Sequence, residues 1–403
     1  MASQTQGQPH TMAHGRRDVA FAFDIDGVLV KGTQPLPGAR DTLHMLQNGG
    51  VPFIFLTNGG GLTEAAHVAR VGQRLGLQGL DSRQFIQSHT PFYDLVGEYG
   101  DQNVLVLGGH GQQIRKLAQA YGFQHVFTTS DLAATAPSIH PFPEMTAGHH
   151  AEHGTVLRLC PKNPTRIAAI LVWSSPRDWC LDLQVVADLL LSEGGYLGAN
   201  PSPKNGDRRL PNAGYQQDGQ PGLYFCNPDL EWATSHPQPR LAQGGFCAAL
   251  EGIFRKLTGG LGELQYKVCG KPTQLTYEFA ERALLAWCDI LDQQQQQRRQ
   301  QAQPDSAEAG AAGAQESGSG RIKTVYMIGD NPASDIAGAN AYSSKYGLQW
   351  RSVLVETGVY VKGTSTPHTP VHVARNVKEA VEWALSQHKQ TGQPGGGEAM
   401  LAV

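Results

Sequence analysis

The residues best suited to chemistry sit where short apolar runs end. The first run, Phe21-Ala22-Phe23-Asp24-Ile25-Asp26-Gly27, closes on two carboxylates two positions apart. In extended chain, residues i and i+2 point to the same side. Asp24 and Asp26 are therefore expected to face one cleft, with Gly27 letting the backbone leave sharply. Two like charges this close are unfavourable unless a cation or a shared proton relieves them. One carboxylate of such a pair can act as nucleophile and metal ligand while the other holds a proton. An ordinary Asp turn at a strand end is the plain alternative. D-x-D-G also occurs in calcium loops, but no further acid follows here at the spacing an EF-hand needs.

Three more runs end in the same way. Phe53-Ile54-Phe55-Leu56 leads into Thr57-Asn58-Gly59-Gly60-Gly61. There a hydroxyl and the backbone N–H groups of a Gly-rich turn can hold a phosphoryl oxygen. In Val268-Cys269-Gly270-Lys271-Pro272 the proline stands where a helix could begin at Thr273, which would aim Lys271 at the same sheet edge. Val325-Tyr326-Met327-Ile328-Gly329-Asp330 is followed by Asn331-Pro332-Ala333-Ser334-Asp335. Asp330 is placed to ligate a cation, and Asp335 to ligate or orient it. Magnesium favours such a set, with few carboxylates, retained waters and substrate phosphate oxygens.

The elements that must position these residues are legible as patterns. Buried strands are expected at 19–23, 53–56, 104–107, 167–173, 223–225, 324–328 and 352–355. Helices are expected at 39–47, 65–75, 113–121, 182–192 and 276–291. Strands alternating with helices point to an α/β fold with a mostly parallel sheet. Residues 293–320 run from a Gln block into Ala, Gly, Ser and Glu, and read as a low-complexity, disordered surface insert. Long loops are expected at 140–163 and 200–222. A disordered leader is expected at 1–17 and a loose tail at 391–403.

Composition excludes several classes. The 403 residues carry 32 basic and 35 acidic side chains, a net charge of −3, so there is no global electrostatic footprint for nucleic acid. No apolar run approaches the roughly 18 residues a membrane-spanning helix requires. The six cysteines are scattered without a C-x-x-C pair, which argues against a disulfide scaffold or a Cys-rich zinc site.

Taken in order, the D-x-D, hydroxyl, Lys and G-D-x-x-x-S-D motifs resemble those of the haloacid dehalogenase superfamily, over roughly residues 18–385 without the low-complexity insert. The resemblance implies a Rossmann-like core, Mg2+ as cofactor and phosphoryl transfer, in which positioning and charge neutralisation do most of the work. It implies Asp24 as the nucleophile that forms an aspartyl-phosphate and Asp26 as general acid and then base. Thr57, Asn58 and Gly59 would bind phosphate, and Lys271 would neutralise charge. The metal would be held by Asp24, the Asp26 backbone carbonyl and Asp330, with Asp335 in support. Because the dehalogenase branch lacks the second acid, Asp26 favours a phosphate ester over a haloacid.

Asp24 and Thr57 are only 33 residues apart, whereas Thr57 and Lys271 are 214 apart. A large cap therefore fits only in the second interval, which is the class II arrangement. Cys226-Asn227-Pro228-Asp229-Leu230 and Gly244-Gly245-Phe246 resemble class IIA landmarks, although Thr57-Asn58-Gly59-Gly60 departs from the usual T-N-N-S. The expected organisation is a core of 18–95 and 264–390 with an inserted α/β, C2-type cap of 96–263. The expected activity is hydrolysis of a small phosphorylated metabolite. A phosphotransferase or phosphomutase with the same site, and a non-catalytic binding protein, are the alternatives. Family resemblance adds a mitochondrial location, with the cytoplasm as alternative, a homodimer through the cap, and a faint link to glycerophospholipid metabolism.

Other features have plainer readings. Val104 to Gly111 looks like half of a dinucleotide fingerprint, but position 114 is Ile, so an ordinary βα turn is expected. His149-His150-Ala151-Glu152-His153 could bind a transition metal, yet a solvated cluster on a loop offers little preorganisation. Arg208 and Arg209 could meet a substrate carboxylate or phosphate, or simply be solvated. Trp173 and Trp179 read as core.

Overall fold

The computed structural model describes residues 18–158, 162–232, 236, 238, 240–302 and 322–388. The expected leader, the tail, Cys160 and most of the low-complexity insert lie outside them. Contacts divide the chain into two compact units. The described residues of the first are 18–56, 68–85, 280–302 and 322–388, and those of the second are 57–67 and 86–279.

The first unit is built on a six-stranded sheet. Its order is His372–Ala374, Gln349–Val355, Thr324–Gly329, Val19–Phe23, Phe53–Leu56 and Phe85–Ile86. Val19–Phe23 runs parallel to both neighbours, pairing Phe23 with Ile328 on one side and with Phe55 on the other. All five of its residues are buried, as expected of a parallel strand covered on both faces. One face packs Phe21, Phe23, Phe53 and Phe55 ring against ring at centroid spacings of 5.6–6.0 Å. The helices Ala39–Gly49, Glu64–Leu75 and Val377–Ser386 contribute apolar side chains to the same core, among them Leu43, Val71 and Val381. The chain leaves Val19–Phe23 toward one side of the sheet and returns on the other. Ligands bind outside the carboxyl ends of strands at such a switch point.

The second unit has a five-stranded parallel sheet. Its order is Lys267–Val268, Gly222–Phe225, Ala169–Val172, Asn103–Leu107 and His125–Thr128. Apolar clusters cover both faces. One gathers Leu181, Val185 and Leu189 of the helix Trp179–Leu191 with Phe246 and Leu250 of the helix Gln243–Leu257. The other surrounds Trp173, which is fully buried against Phe92 and Tyr121, while Trp179 packs partly exposed on the first cluster.

The periodic elements match their sequence signals to within a few residues at either end. The short strands Phe85–Ile86, His125–Thr128 and His372–Ala374 escaped notice, because two to four residues carry no readable alternation. Two expectations are corrected. The helix Gln274–Ala302 continues ten residues into the segment read as a disordered insert. Gln, Arg and Ala are good helix formers, and extending an existing helix avoids the cost of nucleation. The stretch read as a loop from 140 to 163 contains the helix Ala147–His153.

Candidate functional site

The residues singled out by the sequence fall into two constellations, one in each unit. In the first unit, parallel pairing sets the carboxyl ends of Val19–Phe23 and Thr324–Gly329 side by side, and the Asp24 N–H donates to Ile328 O at 3.0 Å. Asp24 and Asp330 each follow one of these strands. With Asp335 they form a group whose ligand oxygens all lie within 4.8 Å of one another. Asp330 and Asp335 are buried, and Asp24 is half-buried. Three carboxylates converging at a sheet edge form an all-oxygen donor set, the chemistry a hard divalent cation selects. The residues present fit such an ion.

Backbone geometry fixes these carboxylates. The Val359 N–H donates to Asp330 Oδ2 at 2.6 Å, and the Asn331 N–H donates to Asp335 Oδ2 at 3.0 Å. A Cβ on Gly358 would lie 2.6 Å from Asp330 Cβ and closer still to the carboxylate. Gly27 has φ +87°, and a Cβ there would lie 2.6 Å from Asp330 Cγ. The cradle thus accepts only glycine at both positions. The Thr357 hydroxyl donates to Gly27 O at 2.5 Å, tying the two loops together. Sequence reasoning missed the Thr357-Gly358-Val359 loop, whose only local signal is a Thr-Gly pair just past a strand. Asp26 is exposed and lies outside the group of three acids.

In the second unit, Asn58 is the organiser. Its side-chain oxygen accepts the Lys271 N–H at 2.7 Å, and its amide nitrogen donates to Lys271 O at 2.9 Å and to the Asp229 carboxylate at 3.2 Å. This two-way clasp holds Lys271 beside the loop that carries Thr57. Lys271 is 1% exposed and Thr57 is also buried. The Thr57 hydroxyl accepts the Gly59 N–H at 3.1 Å, which leaves its own proton available to a ligand oxygen.

The Asn227–Asp229 turn explains the landmark sequences physically. Asn227 Oδ1 accepts the Asp229 N–H at 2.7 Å, and Gln243 Oε1 accepts the N–H groups of Cys226 and Asn227 at 2.9 and 2.8 Å. A Cβ on Gly244 would lie 2.6 Å from Asp229 O, so the close approach of helix and turn requires glycine there.

A second support, also missed from sequence, is His89. Its Nε2 accepts the Gly61 N–H at 3.1 Å, and its Nδ1 lies 2.9 Å from the Tyr121 hydroxyl, which donates to Glu64. A Cβ on Gly60 would lie 2.7 Å from the His89 ring. Burial, and next to it the charge on His67, pushes the His89 imidazole down to about 3. The ring is therefore neutral, and Nε2 keeps the lone pair that holds the Gly-rich loop. A lone histidine in an ordinary Gln-Ser-His string carried no signal of this role.

The other sequence candidates are placed as follows. Arg209 pairs with Asp207 on the surface, and Arg208 is exposed. The Gly108–Gly111 loop enters the helix Gln113–Tyr121, with Ile114 packed where a Cβ on Gly109 would stand. The 149–153 histidines divide, since His150 is buried while His149 and His153 lie by exposed His110.

Comparison with known proteins gives the family and the fold. Residues 21–124 match a family model described as haloacid dehalogenase-like hydrolase, and residues 268–380 match a second, described as HAD-hydrolase-like. The chain is 35% identical to a mitochondrial hydrolase of Saccharomyces cerevisiae, over 92% of this chain and 97% of that one. It is 36% identical to a cardiolipin synthase (CMP-forming)/mitochondrial hydrolase fusion protein of Schizosaccharomyces pombe, over 92% of this chain but only 54% of the fusion. Among solved structures, a 4-nitrophenylphosphatase of Thermotoga maritima superposes with a TM-score of 0.52 at 16% identity, covering 90% of this chain and 96% of that one, which speaks for the fold.

Proposed function

Because this chain belongs to the haloacid dehalogenase-like hydrolases, we propose that it is a magnesium-dependent phosphomonoesterase acting on a small phosphorylated metabolite. The observation that carries the reading is the convergence of Asp24, Asp330 and Asp335 within 4.8 Å beside the carboxyl ends of adjacent parallel strands. The domain reading is a core of 18–95 and 264–390 with a cap of 96–263 that selects the substrate.

In this mechanism an Asp24 carboxylate oxygen attacks phosphorus, and the ester P–O bond breaks. Asp26 gives its proton to the leaving oxygen. Asp26 then takes a proton from a water whose oxygen attacks the phosphorus of the aspartyl-phosphate. Inorganic phosphate departs and Asp24 is restored. Thr57 donates its hydroxyl proton to a phosphoryl oxygen, with the Asn58 N–H beside it. The Gly59 N–H, expected to bind phosphate, instead donates to the Thr57 hydroxyl and orients it. The Lys271 ammonium balances negative charge. Asp24, the Asp26 carbonyl and Asp330 would hold Mg2+, with Asp335 in support, and the bound ion would offset phosphoryl charge as a Lewis acid.

The test is phosphate release from a broad panel of phosphorylated metabolites, with Mg2+ or with EDTA, beside Asp24→Asn. Release that needs Mg2+ and vanishes in the variant supports the proposal. No release above the variant, from folded protein, refutes hydrolysis and favours transfer to an acceptor. A second reading, a phosphate ester of glycerophospholipid metabolism, draws on the fission-yeast relative whose name joins a hydrolase to a cardiolipin synthase. Glycerol phosphates and lipid-linked phosphomonoesters in the panel decide it. The names of those two relatives favour a mitochondrial location, which imaging of a tagged full chain tests.

A further inference from the structure

The stretch from 136 to 158 is anchored in an unusual way. Its buried residues are two histidines, His140 and His150, while Phe142 and Met145 are exposed and Ile139 and Leu157 only partly packed. A segment that buries so little apolar surface needs another source of order. Both histidines reach one atom. Asp178 Oδ2 lies 2.9 Å from His140 Nε2 and 3.0 Å from His150 Nε2. The Thr146 hydroxyl stands 2.6 Å from the same oxygen and 3.0 Å from His140 Nε2. The other Asp178 oxygen accepts the Leu181 N–H at 3.1 Å and caps the helix Trp179–Leu191, so the carboxylate is fixed from behind.

We propose that His140, His150 and Asp178 form a zinc site that staples the 140–154 segment to the start of the helix Trp179–Leu191, with the Thr146 hydroxyl on its fourth side. The three ligand atoms lie within 4.8 Å of one another. Zinc bonds of about 2.0–2.2 Å in a tetrahedron place neighbouring ligands about 3.3–3.5 Å apart. The His–Asp separations of 2.9 and 3.0 Å therefore need to open by only a few tenths of an ångström. Two imidazoles with one carboxylate select a borderline transition ion over Mg2+ or Ca2+, which take oxygen sets. His150 also has the outer partner that metal-bound imidazoles favour. Its Nδ1 lies 2.9 Å from the hydroxyl of buried Ser130, which orients the ring and can accept the Nδ1 proton once Nε2 gives its lone pair to the ion.

The alternative is a hydrogen-bonded network in which both Nε2–H groups donate to Asp178, and the two make different predictions. The full chain, stripped with EDTA and kept in excess Mg2+, is titrated with Zn2+ against a chromogenic chelator. The expected result is one tight Zn2+ per chain, with affinity lowered at least tenfold in both His150→Ala and Asp178→Asn. Substitution by Co2+ should give the intense visible bands of a tetrahedral ion. A His149→Ala/His153→Ala double variant, which changes the neighbouring half-buried cluster, should keep the site. Ser130→Ala retains every ligand and so remains informative if a ligand variant fails to fold; it should weaken binding by about tenfold or more. The proposal is overturned if wild type takes up no Zn2+, if the ligand variants and Ser130→Ala bind as wild type does, if only the His149/His153 variant loses the ion, or if Co2+ binds with an octahedral spectrum.

Discussion

Replacing His89 by Gln should remove most of one pH dependence of stability while keeping an acceptor near the Gly61 N–H. The His89 imidazole is pushed from 6.5 down to about 3, chiefly by burial and secondarily by the charge on His67. A base with a depressed folded-state value binds its proton more readily when unfolded. Stability is then present above about pH 6.5 and is lost as pH falls toward 3. Between pH 7 and pH 5 the unfolded histidine becomes almost fully protonated while the folded one does not. The linkage relation gives a loss of about 2 kcal/mol over that interval. A folded-state value one unit higher would change this little, because pH 5 would still lie above it.

The assay is urea unfolding of wild type and His89→Gln at both pH values, followed by tryptophan fluorescence. Trp173 is an internal reporter, its ring centroid 5.4 Å from that of His89. Wild type should lose about 2 kcal/mol more than the variant on going from pH 7 to pH 5. Carboxylates that titrate in both proteins cancel in the difference. Equal losses would refute the argument and mean that His89 accepts a proton within the folded chain.

Three further outcomes are expected. Burial raises the Asp182 carboxyl to about 7, against the opposing pull of the Thr129 hydroxyl at 2.7 Å. Its unfolded form ionises first, so stability falls as pH rises from about 4 to 7; Asp182→Asn should gain on wild type in thermal melts at pH 8 and lose that advantage near pH 4. Gly358→Ala would drive a methyl group into the Asp330 carboxylate, and a displacement of that order costs about 100-fold in phosphate release, while circular dichroism stays that of a folded chain. Asn58→Ala removes both bonds to the Lys271 backbone, leaving buried groups unpaired at about 1–3 kcal/mol each, and should lower kcat more than it raises KM.

The sequence by itself marked the inner strands of both sheets and the residues that end them, while the short outer strands went unread. Runs such as Val19–Phe23 and Thr324–Gly329 are buried on both faces, so their composition alone marks them. Asp24 and Asp330 could be named because each directly follows a strand, where an acid stands out against apolar neighbours, and Asp335 because it closes the acid-bearing segment five residues on, in the turn Pro332–Ile336. Spacing likewise leaves room for a large insertion between Thr57 and Lys271 but not between Asp24 and Thr57.

What only the tertiary structure decided is how those residues are held. Gly358 supports Asp330 from 28 residues downstream, Asn58 clasps Lys271 across 213 residues, and His89 holds the Gly61 N–H from a separate turn. None of these links leaves a local pattern, since each depends on strand order and on backbone approaches that a single Cβ would block. The histidines show the same limit. As sequence, 149–153 is one cluster; as structure, a short helix turns His150 inward to Ser130 and Asp178 and leaves His149 and His153 by His110. Helical spacing chose the face, and packing chose the partner.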